Sequence, residues 1–158
     1  MSRVSVQTED FDTDAIISEM TKGRQDIGAL VSFTGLVRDL PEQSLQSMTL
    51  EHYPGMTEKA LVTIVGEAGE RWSIDAVRVI HRVGALEPQD PIVLVAVASA
   101  HRGEAFRACE FIIDYLKTRA PFWKREQTAD GGSRWVEARE SDEDAAEAWR
   151  DGAGSQSG

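Results

Sequence analysis

The sequence predicts an α+β fold. Three observations carry that reading. Short β-rich runs and longer stretches of helical spacing are mixed without a regular βαβ alternation. One run, "IVLVAVASA" (92–100), is apolar at successive positions, as in a strand buried on both faces. A stretch of helical spacing (102–118) follows it directly and stops short of Pro121. Antiparallel hairpins with helices on one side form the simplest arrangement of these parts. The 158 residues suit a single domain, expected over 1–150, with "DGAGSQSG" (151–158) as a disordered tail.

Taken in order, Val4 to Thr8 alternates weakly, as an edge strand does. Asp12 or Thr13 can cap a short helix reaching Met20 and ending near Gly23. "IGALVSFTGLVRD" (27–39) is rich in β-formers, and its Gly35 marks a bulge, a strand end or a close backbone approach. A polar loop (39–46) leads to an alternating strand, "SMTLEHY" (47–53). Pro54-Gly55 is a turn. Residues 56–72 then place Ala60, Leu61, Ile64, Val65, Ala68 and Trp72 on one helical face. "AVRVIHRVG" (76–84) alternates as a strand, and "LEPQDP" (86–91) turns the chain into the buried strand. The long helix directs Ala105, Ala108, Cys109, Ile112 and Leu116 inward, with Phe111 and Tyr115 beside them. "FWKRE" (122–126) begins an extended segment, and "SRWVEARE" (133–140) is a further strand after a Gly131-Gly132 turn. Ser141 and Asp144 offer a capping box for a final helix ending near Trp149.

Charge narrows the function. The formal net charge of −10 argues against broad nucleic-acid binding, which draws on many Lys and Arg contacts to phosphates. No run of about 18 apolar residues is present, so no membrane span is expected. The polar N-terminus lacks the apolar core of a signal peptide, which predicts a cytoplasmic protein. The lone Cys109 precludes an internal disulfide and a cysteine-based zinc site. His52 and His81 show no metal-ligand spacing, so no metal is expected. Cys109 reads as a small core residue rather than a nucleophile.

Against this acidity, residues 99–125 hold six cations (Arg102, Arg107, Lys117, Arg119, Lys124, Arg125) and three acids, a local charge of +3. The plainer reading is a solvated helix face whose cations complement the helix dipole. The sharper one is an anion pocket. The break at Pro121 puts Lys117 at a helix end and Lys124 on an extended segment. The chain can therefore bend both ammonium groups toward one cleft, where each lowers the other's pKa. A lysine tuned in this way serves as acid, base or nucleophile. His101-Arg102 opens the long helix, where free N–H groups and a bidentate guanidinium suit a phosphate. Capping or solvent exposure explains His101 equally well. Arg38 ends a strand after Gly35, placed either to enter a pocket or to make a surface ion pair. No phosphate loop, dinucleotide fingerprint or nucleophile elbow is present. Read from the residues alone, the chain is a cytosolic α+β protein with an anion pocket.

The blocks "FTGLVRD", "LEHYPGMTEKAL", "VIHRVGALEPQD", "VASAHRGEAF", "DYLKTRAPFWKRE" and "RWVEARE", in this order, resemble the large, catalytic subunits of molybdopterin synthase. The resemblance runs from about Ile27 to Glu140. It implies an α/β hammerhead-like part with an additional antiparallel β subdomain. It also implies a reaction: conversion of cyclic pyranopterin monophosphate into molybdopterin by installing two dithiolene sulfurs. The sulfur donor is the C-terminal thiocarboxylate of a small ubiquitin-like sulfur-carrier subunit, one bound at each far end of a large-subunit homodimer, making a heterotetramer. No cofactor is needed. Lys117 and Lys124 match the two active-site lysines: Lys117 is assigned to proton transfer or activation at the pterin side chain and Lys124 to holding the thiocarboxylate and stabilising the developing oxyanion, and the sequence leaves the two roles exchangeable. Arg38, His101 and Arg102 match substrate-binding positions, and Arg125 and Glu126 adjoin the site. Arg139 matches a position that reaches the pocket from the second subunit of the dimer. Competing readings are a non-catalytic module for a ubiquitin-like protein, a Schiff-base lysine enzyme and a nucleotide-phosphate binder.

Overall fold

The computed structural model describes residues 2–38, 45–128, 133–136 and 147–149. Its strands form two four-stranded sheets. The first has the order β1 (Ser2–Gln7), β4 (Ala76–Arg82), β6 (Pro91–Ser99) and β2 (Ala29–Leu36). The second has the order β5 (Gly84–Leu86), β3 (Leu45–His52), β7 (Phe122–Thr128) and β8 (Ser133–Val136), antiparallel throughout. Together with the helices α1 (Thr13–Thr21), α2 (Met56–Arg71) and α3 (Arg102–Arg119), this is an α+β fold.

The apolar run of β6 explains the layering. Val93, Val95 and Val97 face α2 and α3, where they pack with Leu61, Ile64, Phe111 and Ile112. Leu94, Ala96 and Ala98 alternate to the other face and meet Ile16 and Met20 of α1. The helices therefore cover both faces, not the single side that the mixed element order suggested. A strand that is apolar at every position needs cover on both sides, and α1 supplies the second. The pairing differs from expectation at β1 as well. It is an edge strand, but it lies parallel to β4, with Val4 opposite Val79.

Glycines mark the places where the chain changes course. At Gly35 the register between β2 and β6 shifts, and an added Cβ would lie 2.9 Å from Val93 Cγ1. Of the three alternatives for that residue, a bulge, a strand end or a close approach, the irregular pairing and the close approach are both seen, one residue before β2 ends. Gly84 has φ +93°, a conformation other residues rarely adopt. The chain leaves the first sheet there and enters the second as β5, so the expected 76–84 strand is split and its last residue starts a separate strand.

The Asp12 carboxylate caps α1 by accepting from the Ala15 N–H (3.1 Å). The inward stripe of α3 is buried as expected, Cys109 included. Residues 147–149 are helical, and Trp149 packs edge-to-face on Trp72 and Phe111. Its indole N–H donates to Asp114. The last helix is thereby docked across α2 and α3. The Gly131-Gly132 turn, the Ser141–Asp144 cap, residues 39–44 of the 39–46 loop and the 151–158 tail lie outside the described residues, and the last two residues of that loop already belong to β3.

Candidate active site

The site is set by how α3 returns along β6. The helix begins just after β6 ends and runs back over it, with the Cys109 thiol against the Val95 carbonyl at mid-length. Eighteen helical residues span about 27 Å and nine strand residues about 30 Å, so the end of α3 reaches the start of β6. Lys117, exposed in the last turn of α3, therefore sits at the end of the sheet where Pro91 pairs with Leu36 and Val93 with His81. Arg38, also exposed, follows β2 at that same end. The backbone beside it is tied down by bonds from the Val37 N–H to the Asp90 carbonyl and from the Gln89 N–H to the Val37 carbonyl.

The link from Lys117 to Lys124 is short and pinned. Ala120 leaves helical geometry (φ −77°, ψ 131°), as a residue before proline tends to. The Phe122 N–H donates to the Ala120 carbonyl (2.8 Å). The Pro121 carbonyl accepts from the hydroxyl of the fully buried Thr57 (3.0 Å), and that hydroxyl accepts from the Tyr53 N–H (3.0 Å). β7 then carries Lys124, half-buried, between Leu50 of β3 and Val136 of β8. Strand alternation puts Lys124 on the same side of β7 as Phe122, and Trp123 on the other, where its indole donates to Glu51. Arg125 pairs with Thr49 and Trp135, and Glu126 with Met48 and Arg134, so both adjoin Lys124 along the backbone.

The surroundings include two histidines that the sequence reading considered only as metal ligands. His81 is buried, and its ring lies nearly flat on Phe122 (centroids 3.7 Å apart, planes 16° apart). Its Nδ1 lies 2.8 Å from the Arg82 carbonyl, which can only accept, so Nδ1 carries the proton. Burial pushes this imidazole down to about 4 against the pull of the Arg82 carbonyl, and the nearby Lys117 and His52 charges lower it further. His52, opposite Phe122 in the β3–β7 register, pairs with Glu58 at 3.2 Å. Glu58 also accepts from the Gly55 N–H at the start of α2. Neither histidine belongs to a metal-holding cluster, and no such cluster exists among the described residues. No spacing rule links His81 to Lys117; the signal is the sheet register.

Not every cation of the 99–125 stretch is free for an anion. The Arg119 guanidinium stacks over Tyr115 (3.9 Å) and pairs with Glu67 (3.3 Å). His101 and Arg102, both exposed, lie at the opposite end of α3 from Lys117. Fifteen residues of helix separate Arg102 from Lys117 by about 22 Å. Two extended side chains do not close that gap, so one chain does not bring these residues together as a single pocket. Arg139 lies outside the described residues. A cavity lined by Arg3, Glu19, Met20 and Arg78 opens near α1, at the far end of β4 from His81, and holds none of the expected site residues.

The burial of Cys109 pushes its thiol up to about 12, so it is no nucleophile at neutral pH. No helix among the described residues is long and apolar enough to cross a membrane. What the lysine end of the molecule can do is hold an anion and move a proton beside a rigid, partly apolar wall.

Comparison with known proteins gives this chemistry a setting. A molybdopterin synthase catalytic subunit from Ralstonia nicotianae is 59% identical over 150 residues, covering 94% of this chain and 85% of that protein. The solved structure of a molybdopterin biosynthesis MoaE protein from Burkholderia ambifaria superposes with a TM-score of 0.81 at 52% identity, covering 95% and 99% of the two chains. A complex of subunits 1 and 2 of molybdopterin-converting factor from Helicobacter pylori shares the fold at 18% identity, with a TM-score of 0.69 over 87% and 90% of the chains. The family model described as "MoaE protein" matches residues 6–119, and with these likenesses the chain belongs to the MoaE family, that of the molybdopterin synthase catalytic subunits.

Proposed function

We propose that this chain transfers sulfur to cyclic pyranopterin monophosphate, forming the dithiolene of molybdopterin, in the cytoplasm. The observation that carries the proposal is the placement of Lys117 and Lys124 on two elements joined by a pinned turn, with Lys117 at the end of the first sheet that Arg38 shares. The donor is the C-terminal thiocarboxylate of a small ubiquitin-like subunit, in keeping with the two-subunit complex that shares this fold. A buried, unreactive Cys109 agrees with a sulfur that arrives on a partner, and a free thiol with a reducing compartment.

The chemistry follows from the donor. Each of the two sulfurs enters in the same way: the thiocarboxylate sulfur forms a bond to a substrate carbon, that carbon's bond to oxygen breaks, the oxygen leaves with a proton, and the partner is linked as a thioester. Water then attacks the thioester carbonyl, the carbonyl–sulfur bond breaks, and the partner leaves as a carboxylate with sulfur retained on the pterin. A lysine ammonium beside the carbonyl stabilises the oxyanion of that step. The other lysine moves the proton at the pterin side chain. Either lysine fits either role.

His101 and Arg102 enter the same proposal through a second copy of the chain. They cannot reach their own Lys117 across about 22 Å of helix. In a homodimer, the start of one α3 can complete the lysine end of the other and hold the substrate phosphate. Arg125, Glu126 and Arg139 remain proposed substrate contacts on the strength of the family motif.

Mixed dimers test both parts. Lys117→Ala dimers make no product from thiocarboxylated small subunit and cyclic pyranopterin monophosphate, and Arg102→Ala dimers make little. A mixed dimer with one copy of each has one intact shared site and recovers about half of the wild-type activity. Inactive mixed dimers refute sharing. Full activity in Lys117→Ala refutes the assignment of that lysine.

A further inference from the structure

His81 has no role in the chemistry above, yet it occupies the centre of the lysine end. Its ring is 5% exposed and lies flat on Phe122, the first residue of β7. Phe122 stands between the two lysines, two residues before Lys124 and five after Lys117. The ring-on-ring contact at 3.7 Å holds one face of the Phe122 side chain against the imidazole. The imidazole is itself held, because Nδ1–H donates to the Arg82 carbonyl at the end of β4. The first sheet thus grips the first residue of a strand that belongs to the second sheet.

We propose that His81 is a positioning residue: its ring, anchored on the Arg82 carbonyl and stacked on Phe122, sets the path of the chain from Lys117 to Lys124. The inference rests on the reading of these two lysines as the active pair. Two further observations favour it. Pro121 is pinned independently by Thr57, and the His81 stack adds a second hold on the same turn one residue later, where β7 begins. The ring also stays neutral, since burial depresses its basicity to about 4, so it adds no like charge beside Lys117. A phenyl ring would stack without the anchor, and an amide would keep the anchor without the stack.

That split makes the test. His81→Gln retains a donor for the Arg82 carbonyl, and His81→Phe retains the flat ring. Turnover would be measured with thiocarboxylated small subunit and cyclic pyranopterin monophosphate, with kcat referred to folded dimer. His81→Gln is expected to lose between about 10-fold and 100-fold in kcat, the scale of a misplacement of about 1 Å, with KM for the pterin little changed. His81→Phe keeps the stack but loses the anchor, so the kcat of its folded fraction is expected to fall between those of the wild type and His81→Gln. Phe122→Leu breaks the stack from the half-buried side, and the His81→Gln/Phe122→Leu double variant is expected to fall no further than either single one. Wild-type kcat in folded His81→Gln or in Phe122→Leu overturns the proposal, as do multiplying losses in the double variant. A His81→Phe enzyme as slow as His81→Gln also overturns it. Lys117→Ala is run alongside; product from that variant sinks the lysine reading itself, whatever the His81 series does.

Discussion

Thr57→Val is a sharp probe of the turn that joins the two lysines. The substitution keeps the shape of the side chain and removes its hydroxyl. That hydroxyl donates to the Pro121 carbonyl and accepts from the Tyr53 N–H, each at 3.0 Å, on a residue with no exposed surface. Valine leaves both partners without a bond. An unsatisfied buried group costs about 1–3 kcal/mol, and these two sites are only part-buried, so the lower end applies to each. The expected loss is about 2–3 kcal/mol. For a chain of 158 residues this lowers Tm by roughly 5–10 °C. Thr57→Ser is the control: it keeps both hydrogen bonds and loses one methyl, worth about 0.8 kcal/mol. Urea unfolding of the three proteins measures the differences. Activity is the second readout, because a freed Pro121 carbonyl loosens the chain between Lys117 and Lys124, and kcat of the folded valine variant should drop. A valine variant within about 0.5 kcal/mol of the serine one would refute the hydrogen-bond argument. A destabilised valine variant with wild-type kcat would refute the link to the site.

The remaining predictions concern titration and reactivity. Folding lowers the His81 imidazole from 6.5 to about 4, so the native state prefers the neutral ring. The stability it supports is complete above about pH 6.5 and is lost as pH falls toward about 4, because the unfolded chain takes the proton first. The limit is about 3 kcal/mol, and His81→Gln should flatten that part of the pH–stability curve; an unchanged slope would contradict the burial of the ring. The Cys109 thiol, pushed up to about 12, should resist alkylation until the protein unfolds, and rapid labelling of native protein would show that the α3–β6 contact opens. Cys109→Ala should stay active; a folded but inactive variant would redirect the sulfur route through the thiol.

Family blocks such as "DYLKTRAPFWKRE" and the residue types they carry are local, and so the two lysines could be named from the sequence. Their placement on separate elements was legible too, because Pro121 restricts the backbone next to it. The burial of β6 on both faces followed from an unbroken apolar run. The inward stripe of α3 followed from its spacing of three and four.

Sequence by itself therefore determined what depends on neighbours along the chain: most of the helices and strands, where α3 ends, and which residue types lie near that end. Only the tertiary structure decided what depends on register between distant segments. It placed α1 on the second face of β6, set β1 parallel to β4, and docked Trp149 on Phe111. It put His101 and Arg102 at the wrong end of α3 to join their own Lys117, since a helix is rigid and about 22 Å cannot be bent away. It also brought His81, a residue with no motif of its own, onto Phe122 between the lysines. The physical reason is common to all of these. Local propensity acts over a few residues, whereas the packing of one sheet against another is settled by burial and pairing across the whole chain.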